Sequence, residues 1–238
     1  MQILVTGLHR SGTSATARLL ATMTHLQLLD DPQWAIFHPN MAKAYRQVSD
    51  YHQELAQAEI VKCPRMGECL DCILEDFPQT QIVYLVRDPR DVYCSIAEAQ
   101  KSSDPTVTTM ADNQRFGPHE SLWHGVSLAF CTYAQQALQA INGVPERLTL
   151  IDYVEIYQTP QQTLQGLCQH LGLPIRTSDI ASAARQQLGP TRNKHQSDLS
   201  IKGAHRWQQE LDPAEAASIV ELCDDDYRTL LAHCRSFA

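Results

Sequence analysis

The chain has 238 residues, 43% of them apolar, with eight cysteines and a net charge of −8. That length suffices for one α/β domain with a sizeable core, and the acidic balance speaks against nucleic acid or an anionic membrane as a partner. No apolar run approaches the roughly 18 residues that a membrane span needs, and the N-terminus opens on a strand pattern rather than a basic leader with a cleavage site, so a cytoplasmic location is expected.

Residues 2–6 read as the first strand and 13–23 as the first helix, with Gly7-Leu8-His9-Arg10-Ser11-Gly12-Thr13-Ser14 between them. A glycine-bracketed turn lets the backbone fold tightly enough for its N–H groups to approach an anion. The helix behind it adds free N–H groups and a positive dipole end. Gly7, Gly12 and Ser14 match the spacing G-x-x-x-x-G-K-[ST], but Thr13 stands at the lysine position and the basic residue lies inside the loop, at Arg10. The loop is built for an anion without the usual grip on a terminal phosphate.

Leu26 to Leu29 is a short strand running into Asp30-Asp31-Pro32, and carboxylates just past a strand end can reach the site of an open α/β sheet. Residues 40–57 read as a helix. Glu59 to Pro64 is a strand interrupted by proline, with Lys62 near its end, and 67–76 reads as helix. Residues 81–86 form a nearly continuous apolar run, the pattern of a buried parallel strand. Arg87-Asp88-Pro89 then turns into a helix over 89–100. This places Arg87 at the strand's C-terminal end and Ser95 two turns into the helix, where both can face one anion.

Residues 101–118 are polar and longer than an ordinary connection, fitting either a substrate-side flap or a surface insertion. Leu122, Val126, Phe130, Tyr133, Ala137 and Ile141 recur at helical spacing over 119–142, with His119 and His124 near the start. A strand over 148–151 follows, then a helix marked by Leu164, Leu167, Cys168 and Leu171 and stopped by Gly172 and Pro174. Residues 178–188 read as another helix and 189–200 as a polar loop with Arg192, Lys194 and Ser197. Asp212-Pro213-Ala214-Glu215 resembles a capping box that opens a last helix, with Ile219, Leu222, Cys223 and Leu230 as its core stripe.

Short apolar strands alternating with helices predict a three-layer α/β fold, a mostly parallel central sheet with helices on both faces, in a single domain over 1–238. The cysteines sit in apolar contexts and read as reduced core residues. Cys69 and Cys72 form a lone C-x-x-C without a second ligand pair, so no metal is expected.

Gly7 to Ser14 resembles the 5′-phosphosulfate loop of the sulfotransferase family, P-loop-type proteins that use 3′-phosphoadenosine-5′-phosphosulfate (PAPS) and release 3′-phosphoadenosine-5′-phosphate (PAP). The stretch from Ile82 through Arg87 to Ser95 is similar to the family's 3′-phosphate segment, a strand ending in Arg followed eight residues later by Ser. Tyr153 with Pro160 is similar to its Tyr-Glu-Asp-Leu segment, and Lys202-Gly203 followed by Trp207 to its C-terminal Lys-Gly/Trp segment.

The resemblance implies sulfuryl transfer from PAPS to a hydroxyl or amine of a small-molecule, glycan or lipid acceptor. A sulfuryl group carries less charge than a phosphoryl group, so cationic side chains and backbone N–H groups suffice without a metal. Arg10 and the N–H groups of Ser11, Gly12, Thr13 and Ser14 are implied at the 5′-phosphate, with Lys62 as a second cation at the bridging oxygen or sulfuryl group. Arg87 and Ser95 are implied at the 3′-phosphate, Lys202 closing over it, Gly203 allowing close backbone approach and Tyr153 near the adenine. Lys62-Cys63-Pro64-Arg65 resembles a Lys-x-Pro segment that precedes the 3′-phosphate motif in many members, but lacks the catalytic histidine of the cytosolic branch. Other branches place a carboxylate some twenty residues past the loop as general base. Asp31 occupies that place, with Asp30, His9, His38 and His119 as alternatives. Two readings of other classes share the fold. A P-loop nucleotide or small-molecule kinase leaves Thr13 and the Arg87/Ser95 pair unexplained; a non-enzymatic nucleotide-binding module is the other. Acceptor contacts are expected from residues 31–58 and 101–124.

Overall fold

Among the described residues five strands form a parallel sheet in the order β2-β3-β1-β4-β5: β1 (Ile3–Gly7), β2 (Leu28–Asp30), β3 (Ile60–Lys62), β4 (Gln81–Val86) and β5 (Leu148–Asp152). This computed structural model describes residues 1–32, 35, 49–101, 121–175 and 204–237. The expectations for the flap, for the helix over 178–188, for the loop over 189–200 and for His38, His119, Lys202 and Gly203 lie outside the described residues. The described helices are α1 (Thr13–Thr24), α2 (Ser49–Gln57), α3 (Leu70–Asp76), α4 (Pro89–Lys101), α5 (Leu122–Gly143), α6 (Tyr153–Gln158), α7 (Pro160–His170), α8 (Trp207–Glu210) and α9 (Pro213–His233).

Successive strand residues point to opposite faces, and both faces are apolar. Ile3, Val5, Val83, Leu85 and Ile151 enter one core with Leu19, Leu20 and Met23 of α1 and Leu164 and Leu167 of α7. Leu4, Val61, Ile82, Tyr84, Val86 and Leu150 enter the other, against Phe130 and Tyr133 of α5 and Ile219 and Leu230 of α9. The expected three layers are thus present. Register is set by pairs such as Val5 with Lys62 and Val83, and Tyr84 with Leu150.

Two local details of α9 depart from expectation. Leu222 is 43% exposed rather than part of the α9 stripe. At 100° per residue it points away from the face shared by Ile219, Cys223 and Leu230. The start of α9 is a simple cap, not a reciprocal box. Asp212 Oδ1 accepts from the Ala214 N–H at 2.8 Å, while Glu215 accepts from the Tyr93 hydroxyl at 3.3 Å.

Chain order around the sheet locates the crevice. The chain leaves β1 toward β2 and β3 on one side, and leaves β4 toward β5 on the other. The loops after the adjacent strands β1 and β4 therefore diverge and open a cleft beyond their C-terminal ends, the usual ligand position in an open α/β sheet. Gly7 ends β1 there with φ 136°, and a Cβ on it would stand 2.5 Å from the Leu85 carbonyl oxygen. Only glycine allows the two strands to approach so closely at this point.

Candidate functional site

The loop after β1 closes on itself through the Ser11 N–H, which donates to Leu8 O at 3.1 Å. One amide that the sequence assigns to an anion is therefore engaged within the turn. Thr16 is the first residue of α1 to bond back, to Gly12 O at 3.1 Å. The amides of Thr13, Ser14 and Ala15 precede that bond and lie at the open, positive end of the helix. Gly12 caps this end with φ 89°, and a Cβ on it would lie 2.6 Å from Cδ2 of Tyr153.

Arg10 adopts the left-handed conformation, φ 69°, and the loop's two neighbours meet it there. Its Nε donates to Ser95 Oγ at 3.0 Å, and its carbonyl accepts from Arg87 Nη1 at 2.6 Å. The Arg87 guanidinium lies 4.3 Å above the Tyr153 ring, which stacks in turn on Tyr157 at 5.9 Å. Arg87 is only 6% exposed, and its buried Nε has no hydrogen-bond partner among the described residues. Four sequence-predicted residues from three separate stretches, Arg10, Arg87, Ser95 and Tyr153, thus converge at the mouths of β1, β4 and β5 beside the Gly12–Ser14 turn.

A second cluster lies at the ends of β2 and β3. The Asp31 N–H donates to Lys62 O at 2.9 Å, extending the ladder by one residue, and Asp31 then turns out with φ 49°. Lys62 Nζ forms an ion pair with Asp31 Oδ2 and lies 3.3 Å from Asp30 Oδ1. The two carboxylates differ in their surroundings. Arg18 clasps Asp30 Oδ2 through Nε at 3.1 Å and Nη2 at 2.8 Å. Asp31 has 39% of its side chain exposed, against 5% for Lys62. Neighbouring Cys63 is pushed up to about 12 by burial and then by the Asp31 charge, so its thiol stays protonated and inert. The His9 ring stands edge-on to Tyr133 at 6.5 Å, and the Tyr133 hydroxyl donates to Glu68 Oε1 at 2.8 Å. Among the described residues no group of three His, Cys, Asp or Glu is placed to hold a metal, and Cys69 and Cys72 are both buried.

Sequence reasoning missed Arg18, which selects Asp30 as its partner, and Asp91, a 1% exposed carboxylate at the base of α4. Arg18 carried no signal, because an exposed arginine on a helix is common. Asp91 carried a faint one: it lies four residues before Ser95, on the same helical face.

Known proteins resemble this arrangement at two levels. The family model described as the sulfotransferase family matches residues 27–179, more than half of the chain. The match includes Asp30, Asp31, Lys62, Arg87, Ser95 and Tyr153. No protein of curated function matches by sequence. Among solved structures, the sulfotransferase domain from the curacin biosynthetic pathway superposes with TM-score 0.62 at 16% identity, covering 94% of this chain and 97% of that one. A sulfotransferase from Alicyclobacillus acidocaldarius gives 0.60 at 15%, covering 99% and 96%. A mouse sulfotransferase complexed with PAP gives 0.61 at 16%, covering 98% and 89%. At such identities the superpositions speak for the fold, and they extend the likeness over β1 and its loop, which the family model leaves out. Among the described residues no helix is long and apolar enough to cross a membrane. With the family model spanning most of the sheet, and the same fold in solved sulfotransferases, the chain belongs to the sulfotransferase family.

Proposed function

We propose that this chain is a PAPS-dependent sulfotransferase, one domain over 1–238, acting in the cytoplasm on a hydroxyl or amine of a small-molecule, glycan or lipid acceptor. The observation that carries the reading is the buried Arg87 guanidinium, its Nε without a hydrogen-bond partner among the described residues, set against Arg10 and Ser95. An orphaned buried cationic donor costs free energy unless an anion completes it, and a donor with a separate 3′-phosphate supplies that anion. The open amides of α1 and Arg10 then take the 5′-phosphate, Tyr153 lies beside the adenine, and Lys202 with Gly203 completes the 3′ side.

In the reaction the acceptor oxygen or nitrogen forms a bond to sulfur while the bond from sulfur to the 5′-phosphate oxygen breaks. The bonding pair leaves with PAP, where Arg10 and the helix end stabilise the growing negative charge. The acceptor's proton passes to the Asp31 carboxylate. An ammonium has three donors, so Lys62 can keep Asp31 and Asp30 and offer the third to a sulfuryl oxygen. Asp31 is favoured over Asp30 because Arg18 occupies Asp30 while Asp31 is more open.

The test is calorimetric titration with PAP, 5′-AMP and ATP, each with and without Mg²⁺. Metal-independent binding of PAP, with 5′-AMP weaker by about a hundredfold, and loss of that difference in Arg87→Ala are expected. Preference for Mg·ATP, or indifference to the 3′-phosphate, would overturn the reading.

A further inference from the structure

Helix α4 carries Asp91, Ser95 and Glu98 at i, i+4 and i+7, on one face. Ser95 receives Arg10 from the β1 loop. The other two residues hold a different stretch of chain. The Asp91 carboxylate is 1% exposed and accepts the His205 N–H at 2.7 Å through Oδ2 and the Trp207 N–H at 3.1 Å through Oδ1. Glu98 accepts from Arg206 Nη2 at 2.9 Å, and Arg206 also reaches Glu210 from Nε at 3.0 Å. Next to Asp91, the Arg90 guanidinium lies 3.7 Å over the Trp207 indole and is itself held by Asp88 Oδ2 at 2.6 Å. His205 adopts φ 66°, a conformation that a non-glycine residue holds only when its surroundings impose it.

We infer that Asp91 is a positioning residue for donor recognition: it pins residues 204–207 along the Ser95 face of α4, making that segment a wall of the Arg87/Ser95 anion site. Three features support this. A carboxylate so deeply buried has lost its hydration, and two backbone N–H groups replace it with fixed geometry. The anchors at Asp91 and Glu98 flank Ser95 within about one helical turn on each side, so the Arg206 side chain, reaching Glu98 from backbone held at Asp91, spans the serine that meets Arg10. The backbone is held by its amides at 205 and 207, and the Arg90 guanidinium on the Trp207 indole ties the same stretch to α4 a second time. The inference rests on the sulfotransferase reading, since it assigns the wall to the 3′-phosphate side of the donor.

The experiment compares wild type, Asp91→Asn and Trp207→Ala by calorimetry with PAP and with 5′-AMP, alongside amide hydrogen exchange at 205 and 207 and steady-state kinetics in PAPS. Asparagine keeps one acceptor and loses the charge, so PAP affinity should fall about tenfold while 5′-AMP affinity holds. Exchange at the two amides should quicken. The KM for PAPS should rise with kcat retained, a split that a mere loss of stability does not produce. Trp207→Ala leaves Asp91 and α4 intact and releases only the Arg90 stack. It should weaken PAP selectively by about threefold, and it decides the matter if Asp91→Asn does not fold. Equal losses for PAP and 5′-AMP, or a lowered melting temperature with unchanged selectivity, would overturn the inference alone. Wild type that does not distinguish PAP from 5′-AMP overturns the donor reading, and this inference with it.

Discussion

Replacing Gly12 by alanine puts a methyl group where the structure has an aromatic ring. The new Cβ would lie 2.6 Å from Cδ2 and 2.7 Å from Cε2 of Tyr153, against an ordinary carbon contact of about 3.5–4.0 Å. The ring must therefore retreat by about 1 Å, yet it is packed between Arg87 at 4.3 Å and Tyr157 at 5.9 Å. The backbone adds a second penalty, because φ 89° suits glycine and costs another residue about 1–2 kcal/mol. Together the strain and the displaced ring should cost about 2–4 kcal/mol, or a melting temperature lower by about 5–15 °C. Urea denaturation of Gly12→Ala, Tyr153→Ala and the double variant separates the two contributions. In the Tyr153→Ala background the glycine substitution should cost only its backbone part, leaving a coupling of about 1–2 kcal/mol. A Gly12→Ala protein as stable as wild type, or strictly additive variants, would refute the contact between loop and ring.

Asp31→Ala leaves the buried Lys62 ammonium with Asp30, at 3.3 Å, as its remaining carboxylate partner among the described residues; a loss of about 1–3 kcal/mol in urea is expected, with PAP affinity held within about threefold because the cluster lies on the β2–β3 side. A larger calorimetric loss would place Asp31 in the donor site. Burial holds the Asp152 carboxyl above the ordinary carboxylate value, so the native state binds its proton more tightly than the unfolded chain. That contribution to stability is present below the unfolded pKa and is lost as pH rises through the raised folded pKa. Asp152→Asn keeps an acceptor for the Val154 N–H at the start of α6. Its melting temperature should match or exceed wild type near neutral pH, with the advantage gone in acid, and a thermal-denaturation series across pH checks the sign. Arg147 donates to Leu74 O at 2.8 Å, to Thr80 O at 3.2 Å and to Phe77 O, closing the C-terminal end of α3. Arg147→Ala should lower stability by about 2–4 kcal/mol, read by urea denaturation, and unchanged stability would show those carbonyls to be satisfied by water.

Strand and helix positions were legible in the residues because their causes are local. The apolar run of β4, the glycine spacing after β1 and the 3.6-residue recurrence in α5 act within a few residues of chain, and the observed elements lie close to the expected ones. The loop chemistry was legible for the same reason: Gly7, Arg10 and Gly12 declare a turn for an anion wherever the sheet later puts it. Failures came where a single position's angle mattered. Leu222 has the right composition for a core stripe, but at 100° per residue it stands off the line that Ile219, Cys223 and Leu230 share, and it is exposed.

The sequence by itself determined the menu of elements, their parallel arrangement and the residues able to meet an anion, since backbone sterics, burial and side-chain chemistry act on neighbours along the chain. Tertiary structure alone decided who meets whom. The sheet order brings Arg10, Arg87 and Ser95 together across 77 and 85 residues of separation. The twin β2 and β3 ends give Asp30 to Arg18 and leave Asp31 open beside Lys62. One face of α4 ties Asp91 to the chain at 205 and 207. Such contacts follow from strand register and helix rotation, which are set by the packing of two whole cores and by no short stretch of residues.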